Sequence, residues 1–274
     1  MEALKAGAVQ IFTKPKSDLR KFLQEDADLL ISSVKSAARA NRRMLSIPQE
    51  QASRSSVQPR TVSAKLTADA ILPPMSPQAV TLSTQRIIAI GASMGGTRAL
   101  EVILSKLPLL TPGIVIVQHM PEGFTKAFAA RLNEICKIEV HEAQDGDGVI
   151  PGVALLSPGN RHMLLKRIQG EYFIELNDGP LVSRHKPSVD VLFRSVAQSA
   201  GFNAVGIILT GMGDDGAQGM LELHNTGATT IAQDEESCVV FGMPKEAIMR
   251  GAVDRIVALN RVASEIMTFV EKQE

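Results

Sequence analysis

Short runs of β-branched and other apolar residues alternate with amphipathic helical patterns through residues 85–274 of this 274-residue chain. Each run is almost continuously apolar, which is typical of a strand buried on both faces of a parallel sheet. The predicted strands are Arg86–Ile90, Ile114–Val117, Val153–Ser157, Val205–Leu209 and Thr229–Ala232. Because parallel strands need a long crossover, usually a helix, this alternation constrains the fold more than any other feature.

Helical patterns follow four of these runs, at Thr97–Lys106, Gly123–Glu134, Gly216–Asn225 and Pro244–Arg250. A fifth pattern covers Val189–Ala200, where Ser188 is a suitable N-cap and Asp190 lies in the first turn. Residues His162–Leu176 instead predict an antiparallel hairpin around Gly170. We therefore expect an α/β fold, a doubly wound and mostly parallel sheet with helices on both faces and a β-hairpin excursion.

Composition divides the chain into three parts. Residues 46–84 contain seven Ser, four Thr, five Pro and four Gln, with no Gly and no aromatic residue. Such a segment buries too little apolar surface to offset its ordering entropy, so it predicts a flexible linker. The linker would separate a short N-terminal piece, 1–45, from a folded body, 85–274.

The charge balance argues against a partner that is bound through the overall charge of the protein. The 29 Lys and Arg residues equal the 29 Asp and Glu residues, so no net charge draws the chain to nucleic acid or an anionic membrane. No apolar run is long enough to cross a bilayer, and residues 1–16 lack the pattern of a signal peptide, which predicts a cytoplasmic protein without membrane insertion. Cys136 and Cys238 are too far apart in sequence for a zinc motif and are expected to be buried thiols.

Polar residues follow three of the predicted strands, at the carboxyl edge where open parallel sheets bind ligands. These segments are GASMGG at 91–96, QH at 118–119 and TGMGDDG at 210–216. The first fits G-x-S-x-G between a strand and a helix, a sharp turn that exposes the Ser93 hydroxyl. His119 could take its proton, and Asp214 or Asp215 could orient the imidazole.

Each of these assignments has an alternative. The same glycines suit a helix N-terminus that binds an anion, and a histidine at a strand end can be purely structural. Both acids could lie in the first turn of a helix simply because the helix dipole stabilises negative charge there. Spacing does not choose between Asp214 and Asp215. The alternative candidates for the base are the other four histidines, which lie in or beside strands, the hairpin or a surface helix: His141, His162, His185 and His224. No cluster has the spacing of a metal site, so neither a metal nor a cofactor is predicted.

Several long segments resemble one known family, in the same order: IIAIGASMGGTRAL, IVIVQHMPEGFTKAFAARLN, LSPGNRHM, HKPSVDVLFRSVA, GIILTGMGDDGAQGML, TIAQDEESCVVFGMPKEAI and GAVDRIVAL. The family is that of the chemotaxis-receptor protein-glutamate methylesterases that follow a response-regulator receiver domain, and the resemblance covers essentially all of 86–258. It implies Ser93 as nucleophile, His119 as base and Asp215 as the orienting carboxylate. It also implies that the backbone N–H groups of Met94 and Met212 help to form the oxyanion hole.

The resemblance further implies the reaction, which is hydrolysis of γ-glutamyl methyl esters on the cytoplasmic helices of methyl-accepting chemotaxis receptors, with release of methanol. Deamidation of receptor glutamine is a related acyl transfer that the same site could perform. Two other functions remain open, an anion- or nucleotide-binding module built on the GASMGG turn and a catalytically silent scaffold that docks to receptors.

One position of the predicted site departs from the family pattern, and the N-terminal piece matches only part of a receiver domain. The family usually has Thr where this chain has Met94, which keeps the backbone donor but loses a hydroxyl, so activity should persist with altered efficiency or specificity. Residues 7–37 resemble the end of a receiver domain, with Lys14 at the phosphoryl-contacting lysine and Pro15 after it. The receiver's acidic pocket is absent from this sequence, so we expect either an esterase without phosphorylation control or a piece of a longer protein.

Overall fold

The computed structural model describes residues 65–74 and 85–271, together with the isolated helical positions Ile31 and Val34. The predictions for Lys14, for Pro15 and for most of residues 1–64 lie outside the described residues. A seven-stranded sheet has the order β3-β4-β2-β1-β7-β8-β9, and all of its strand pairs are parallel. Its strands are β1 Ile87–Ala92, β2 Gly113–Gln118, β3 Glu139–Glu142, β4 Val153–Leu156, β7 Ala204–Ile208, β8 Thr229–Gln233 and β9 Arg255–Val257.

The predicted strands are all present, and the two that sequence reasoning missed are the edges of the sheet. Every residue of the central strands β1, β2 and β7 is buried, as the continuous apolar runs require. The edge strand β3, with sequence EVHE, buries fully only Val140, and β9 has just three residues. A strand with one neighbour has less surface to bury, so its sequence carries a weaker signal.

Helices cover both faces of the sheet, which confirms the doubly wound α/β prediction. They are α1 Gly96–Leu104, α2 Thr125–Ile135, α3 Val189–Ser199, α4 Ala217–His224, α5 Met243–Met249 and α6 Leu259–Glu271. Alternate residues of β1 enter opposite cores: Ile87 packs with α3, α4 and α5, whereas Ile88 packs with α1, α2 and α6. Helix α6 was not predicted. The Ser188 N-cap is confirmed, since its hydroxyl accepts a bond from the Val191 N–H.

The predicted hairpin is also confirmed. Strands β5 (His162–Ile168) and β6 (Glu171–Asn177) pair antiparallel through a two-residue turn. Both turn residues, Gln169 (φ 54°) and Gly170 (φ 94°), have the positive φ that such a turn needs. The hairpin packs on α3, where the Ser195 hydroxyl accepts a hydrogen bond from the Leu165 N–H at 2.9 Å.

Residues 65–74, which fall inside the predicted linker, pack against the body. A short 3-10 helix, Ala68–Ala70, buries Ala68 in a small apolar cluster with residues of β5 and α3. The guanidinium of Arg194 donates to Asp69 at 2.5 Å and to the Leu72 carbonyl at 2.9 Å. This segment, called the docked segment below, is therefore held by both apolar burial and a charged anchor.

No helix among the described residues is long and apolar enough to cross a membrane. The two thiols are protonated in this fold. Burial raises the pKa of Cys136 to about 11 and that of Cys238 to about 12. Because the thiolate is the reactive form, neither cysteine is a candidate nucleophile.

Candidate active site

The register of the central strands brings the first two predicted site residues together. Ala92, the last residue of β1, pairs with Gln118, the last residue of β2, so Ser93 and His119 are the next residues on two adjacent strands. Neighbouring strands of a sheet lie about 4.8 Å apart, so the backbones of these two residues are close together. The His119 N–H donates to the Ala92 carbonyl at 3.0 Å, and the Ser93 N–H donates to the Thr210 carbonyl, just beyond β7, at 3.0 Å.

Ser93 stands on a sharp turn between β1 and α1 that only small residues allow. Gly95 has a φ of 81°, in the left-handed region that favours glycine. A Cβ atom on Gly91 would lie 2.2 Å from a methyl carbon of Val189. The Ser93 hydroxyl makes no hydrogen bond with any described residue, and the residue is 7% exposed. The turn thus fixes the backbone of Ser93 while its hydroxyl stays unbonded to the described residues.

The acid that contacts the imidazole is Asp215. The His119 Nε2 and the Asp215 Oδ2 are 2.8 Å apart, and the Asp215 side chain is fully buried. Asp214 instead points outward, with 40% of its side chain exposed, and pairs with Lys65 of the docked segment at 2.6 Å. Sequence spacing left these two acids equivalent, and the tertiary contacts separate them.

The N-terminus of α3 surrounds the Asp215 carboxylate with donors. Its Oδ1 accepts from the Ser188 hydroxyl at 2.7 Å and the Asp190 N–H at 3.1 Å, and its Oδ2 accepts from the Val189 N–H at 2.8 Å. Burial by itself raises the pKa of this carboxyl, but the hydrogen bond and charge of His119 and the bond from Ser188 outweigh it. The net pKa lies well below the usual value, so Asp215 is ionised at neutral pH.

The contact with Asp215 fixes which imidazole nitrogen can act as a base. A carboxylate only accepts hydrogen bonds, so in neutral His119 the proton lies on Nε2 and Nδ1 keeps a lone pair. Nδ1 is buried and makes no hydrogen bond with any described residue. Ser93 and His119 follow paired residues of adjacent strands, and catalytic hydrogen bonds commonly tighten only when substrate binds, so an unbonded Nδ1 and an unbonded serine hydroxyl fit a base and its nucleophile.

Comparison with known proteins identifies the family. A family model described as CheB methylesterase matches residues 88–266. The chain belongs to the CheB methylesterase family. It is 57% identical over 268 residues to protein-glutamate methylesterase/protein-glutamine glutaminase 1 of Xanthomonas oryzae pv. oryzae, an alignment that covers 98% of this chain and 75% of that protein. It is 55% identical over 267 residues to a protein of the same name from Photobacterium profundum, covering 97% and 74%.

A solved structure of the family shares the fold. The crystal structure of the Thermotoga maritima CheB methylesterase catalytic domain matches with a TM-score of 0.66 and 38% identity, over 68% of this chain and 98% of that chain. The resemblance drawn from the sequence segments is therefore confirmed for both family and fold.

One further residue of this CheB-family site escaped sequence reasoning. The ring of His185 stacks on the ring of His119, with centroids 3.8 Å apart and planes within 5° of parallel. A tight turn delivers it, because Ser183 (φ 51°) and Arg184 (φ 68°) both adopt left-handed backbone conformations. Burial and the charge of His119 lower the pKa of His185 to about 4, so it packs as a neutral ring. The only sequence feature that could have pointed to a role for His185 in the site is its place in the HKPSVD segment, which lies far from His119 in the chain.

The same three side chains could be mistaken for a metal site. One ligand atom from each of His119, His185 and Asp215 lies within 4.8 Å of the others. The lone pairs of stacked imidazoles lie in parallel planes and do not converge on one ion. The geometry therefore favours an oriented base over a chelate.

The two predicted oxyanion donors belong to segments that adjoin Ser93. The Met94 N–H makes no hydrogen bond with any described residue, and Met94 as a whole is 2% exposed, so its side chain is buried. Met212 follows Gly211, where an added Cβ would lie 2.8 Å from the Cβ of Ser93. In this CheB-family chain, both segments thus come close to the serine.

Proposed function

We propose that this chain hydrolyses γ-glutamyl methyl esters of chemotaxis receptors, with Ser93 as nucleophile, His119 as base and Asp215 as the orienting carboxylate. The observation that carries the proposal is the 2.8 Å contact between the His119 Nε2 and the buried Asp215 carboxylate, beside a serine on the next strand. The relatives named protein-glutamate methylesterase support the choice of substrate.

In the first half of the reaction, the Ser93 Oγ attacks the ester carbonyl and its proton passes to the His119 Nδ1. The buried Asp215 carboxylate stabilises the imidazolium that forms, and the neutral ring of His185 supports its stacked face. When the tetrahedral intermediate collapses, the C–O bond to the methoxy group breaks. The imidazolium returns its proton to that oxygen, so methanol leaves and a glutamyl ester of Ser93 remains.

In the second half, water attacks the acyl-enzyme while the His119 Nδ1 takes one of its protons. Collapse breaks the bond to the Ser93 Oγ, which recovers that proton. The product is the γ-carboxylic acid of the receptor glutamate, which loses its remaining proton to solvent and becomes a carboxylate. The N–H groups of Met94 and Met212 would stabilise the negative oxygen in both halves. One such donor is worth about 10²- to 10³-fold in kcat.

Glutamine deamidation follows from the same chemistry. An amide carbonyl enters the site as the ester does, and ammonia leaves in place of methanol. Relatives that carry both activities in their names support this extension. Since the substrate glutamates lie on the cytoplasmic helices of receptors, we propose that the chain acts in the cytoplasm.

The deciding experiment is methanol release from methylated receptor by the whole chain. Replacing Ser93 by Ala should lower kcat by at least about 10³-fold, because the residual rate would rest on the oxyanion hole and binding alone. Ser105→Ala, at the end of α1, is the matched control and should keep kcat within twofold. Ser93→Ala protein with near-normal turnover would overturn the proposal. If the wild type shows no turnover and Ser93→Ala binds phosphate as tightly as the wild type does, the anion-binding alternative is favoured.

A further inference from the structure

Gln118 contacts the backbones of both the proposed nucleophile and the proposed base. It ends β2, directly before His119, and is 2% exposed. Its Nε2 donates to the Ser93 carbonyl at 2.9 Å and to the His119 carbonyl at 3.0 Å. One side-chain amide group therefore uses both of its hydrogens to join the two segments that carry the reacting side chains.

The bond to the Ser93 carbonyl also fixes an oxyanion donor. The Ser93 carbonyl and the Met94 N–H belong to the same planar trans peptide, so they point in opposite directions. That carbonyl accepts a second bond from the Gly96 N–H at 2.8 Å. Two donors on one carbonyl hold the peptide plane, and they thereby hold the Met94 N–H on the opposite side.

The orientation of the Gln118 amide follows from its partners. Both contacts of Nε2 are with carbonyl oxygens, which only accept, so the flipped amide would place three oxygens against one another. The amide has little room to move, because a Cβ on Gly96 would lie 2.2 Å from its Oε1.

The Gln118 Oε1 carries an energetic cost. It is buried and accepts no hydrogen bond from any described residue. A buried unsatisfied acceptor destabilises a fold, whereas an apolar side chain of similar length, such as Met, would carry no such penalty. The benefit of the amide must therefore lie in its two donated bonds.

We propose that Gln118 is a positioning residue, which holds the Met94 N–H toward the developing oxyanion and keeps the Ser93 and His119 segments at a fixed separation. The inference rests on the proposed function, since it assigns Gln118 a role in that reaction. It acts through the backbone and has no contact with substrate in this scheme.

The test compares Gln118→Met, which keeps the length and loses both donors, with the wild type in methanol release. We expect kcat to fall by about 10- to 100-fold with KM within about threefold, because a displaced oxyanion donor weakens only the transition state. Thr230→Val is the control. Thr230 is fully buried and bonds to Asp254 at the opposite edge of the sheet, so this variant shows what the loss of a buried hydrogen bond does to kcat by itself.

A second variant covers the case in which Gln118→Met does not fold. Gln118→Glu keeps the planar end, and its protonated carboxyl can donate one bond where the amide donates two. Its kcat should fall below that of the wild type, and the ratio of its kcat to the wild-type kcat should be higher at pH 6 than at pH 9.

The inference is overturned if the folded variant keeps kcat within threefold of wild type, if the loss is confined to KM, or if Thr230→Val loses as much. Ser93→Ala is measured alongside. An inactive Ser93→Ala protein with a fully active Gln118→Met protein would reject the role of Gln118 alone. An active Ser93→Ala protein would reject the proposed function itself.

Discussion

Replacing Asp215 by Asn tests its proposed role as the orienting carboxylate with the smallest change of shape. Each carboxylate oxygen accepts a backbone N–H from the start of α3, Oδ1 from Asp190 and Oδ2 from Val189. Whichever oxygen becomes the amide NH₂, two donors then face each other in a fully buried site. The substitution therefore cannot be accommodated by rotating the side chain.

The expected magnitudes follow from these contacts. An unsatisfied buried group costs about 1–3 kcal/mol, and loss of a negative charge at a helix N-terminus adds up to about 1–2 kcal/mol. We therefore expect the free energy of unfolding to fall by about 2–4 kcal/mol, which is roughly 5–15 °C in Tm for a domain of this size. Asn can also donate to the His119 Nε2 and force the proton onto Nδ1, which would lower kcat by about 10⁴-fold.

Methanol release and thermal unfolding would be measured on Asp215→Asn and on the adjacent Asp214→Asn. Because the Asp214 side chain is 40% exposed, its ion pair with Lys65 is worth about 0–1 kcal/mol and kcat should stay within threefold. A folded Asp215→Asn protein within tenfold of wild-type kcat would refute the argument. Equal losses in both variants would show that the second acid has no special role.

Three further outcomes are expected. As pH falls from 7.5 toward 4.5, His185 is protonated in the unfolded state but not in the folded state, because folding lowers its pKa to about 4. In urea titrations the wild type should thus lose more stability over this range than His185→Phe, and parallel curves would contradict this. Arg194→Met removes the anchor of the docked segment, so trypsin should cleave after Lys65 several-fold faster, and an unchanged rate would count against that anchor. Phe128→Ala, at a fully buried position, should cost about 3–5 kcal/mol in urea unfolding, whereas exposed Phe202→Ala should cost under about 1 kcal/mol, and equal costs would be inconsistent with the burial.

The sequence by itself determined the layered architecture and the sharp glycine-rich turn that carries Ser93. Strands such as β1 and β2 are buried on both faces, so their apolar runs are unmistakable in sequence. The glycines around Ser93 indicate a sharp turn between a strand and a helix, and the conformation of such a turn depends on residues that are neighbours in the chain. Edge strands β3 and β9 were missed because a strand with one neighbour buries less surface and leaves a weaker pattern.

Only the tertiary structure decided which side chains meet. Asp214 and Asp215 are equivalent in sequence, yet one pairs with Lys65 at the surface and the other lies buried against His119. The stacking of His185 depends on a distant tight turn, and the docking of residues 65–74 depends on an arginine in α3. The physical reason is the distance along the chain over which each effect acts. Backbone propensity and burial act over a few residues and produce a periodic pattern of apolar residues in the sequence. Contacts between remote segments depend on packing and register, which no local pattern encodes.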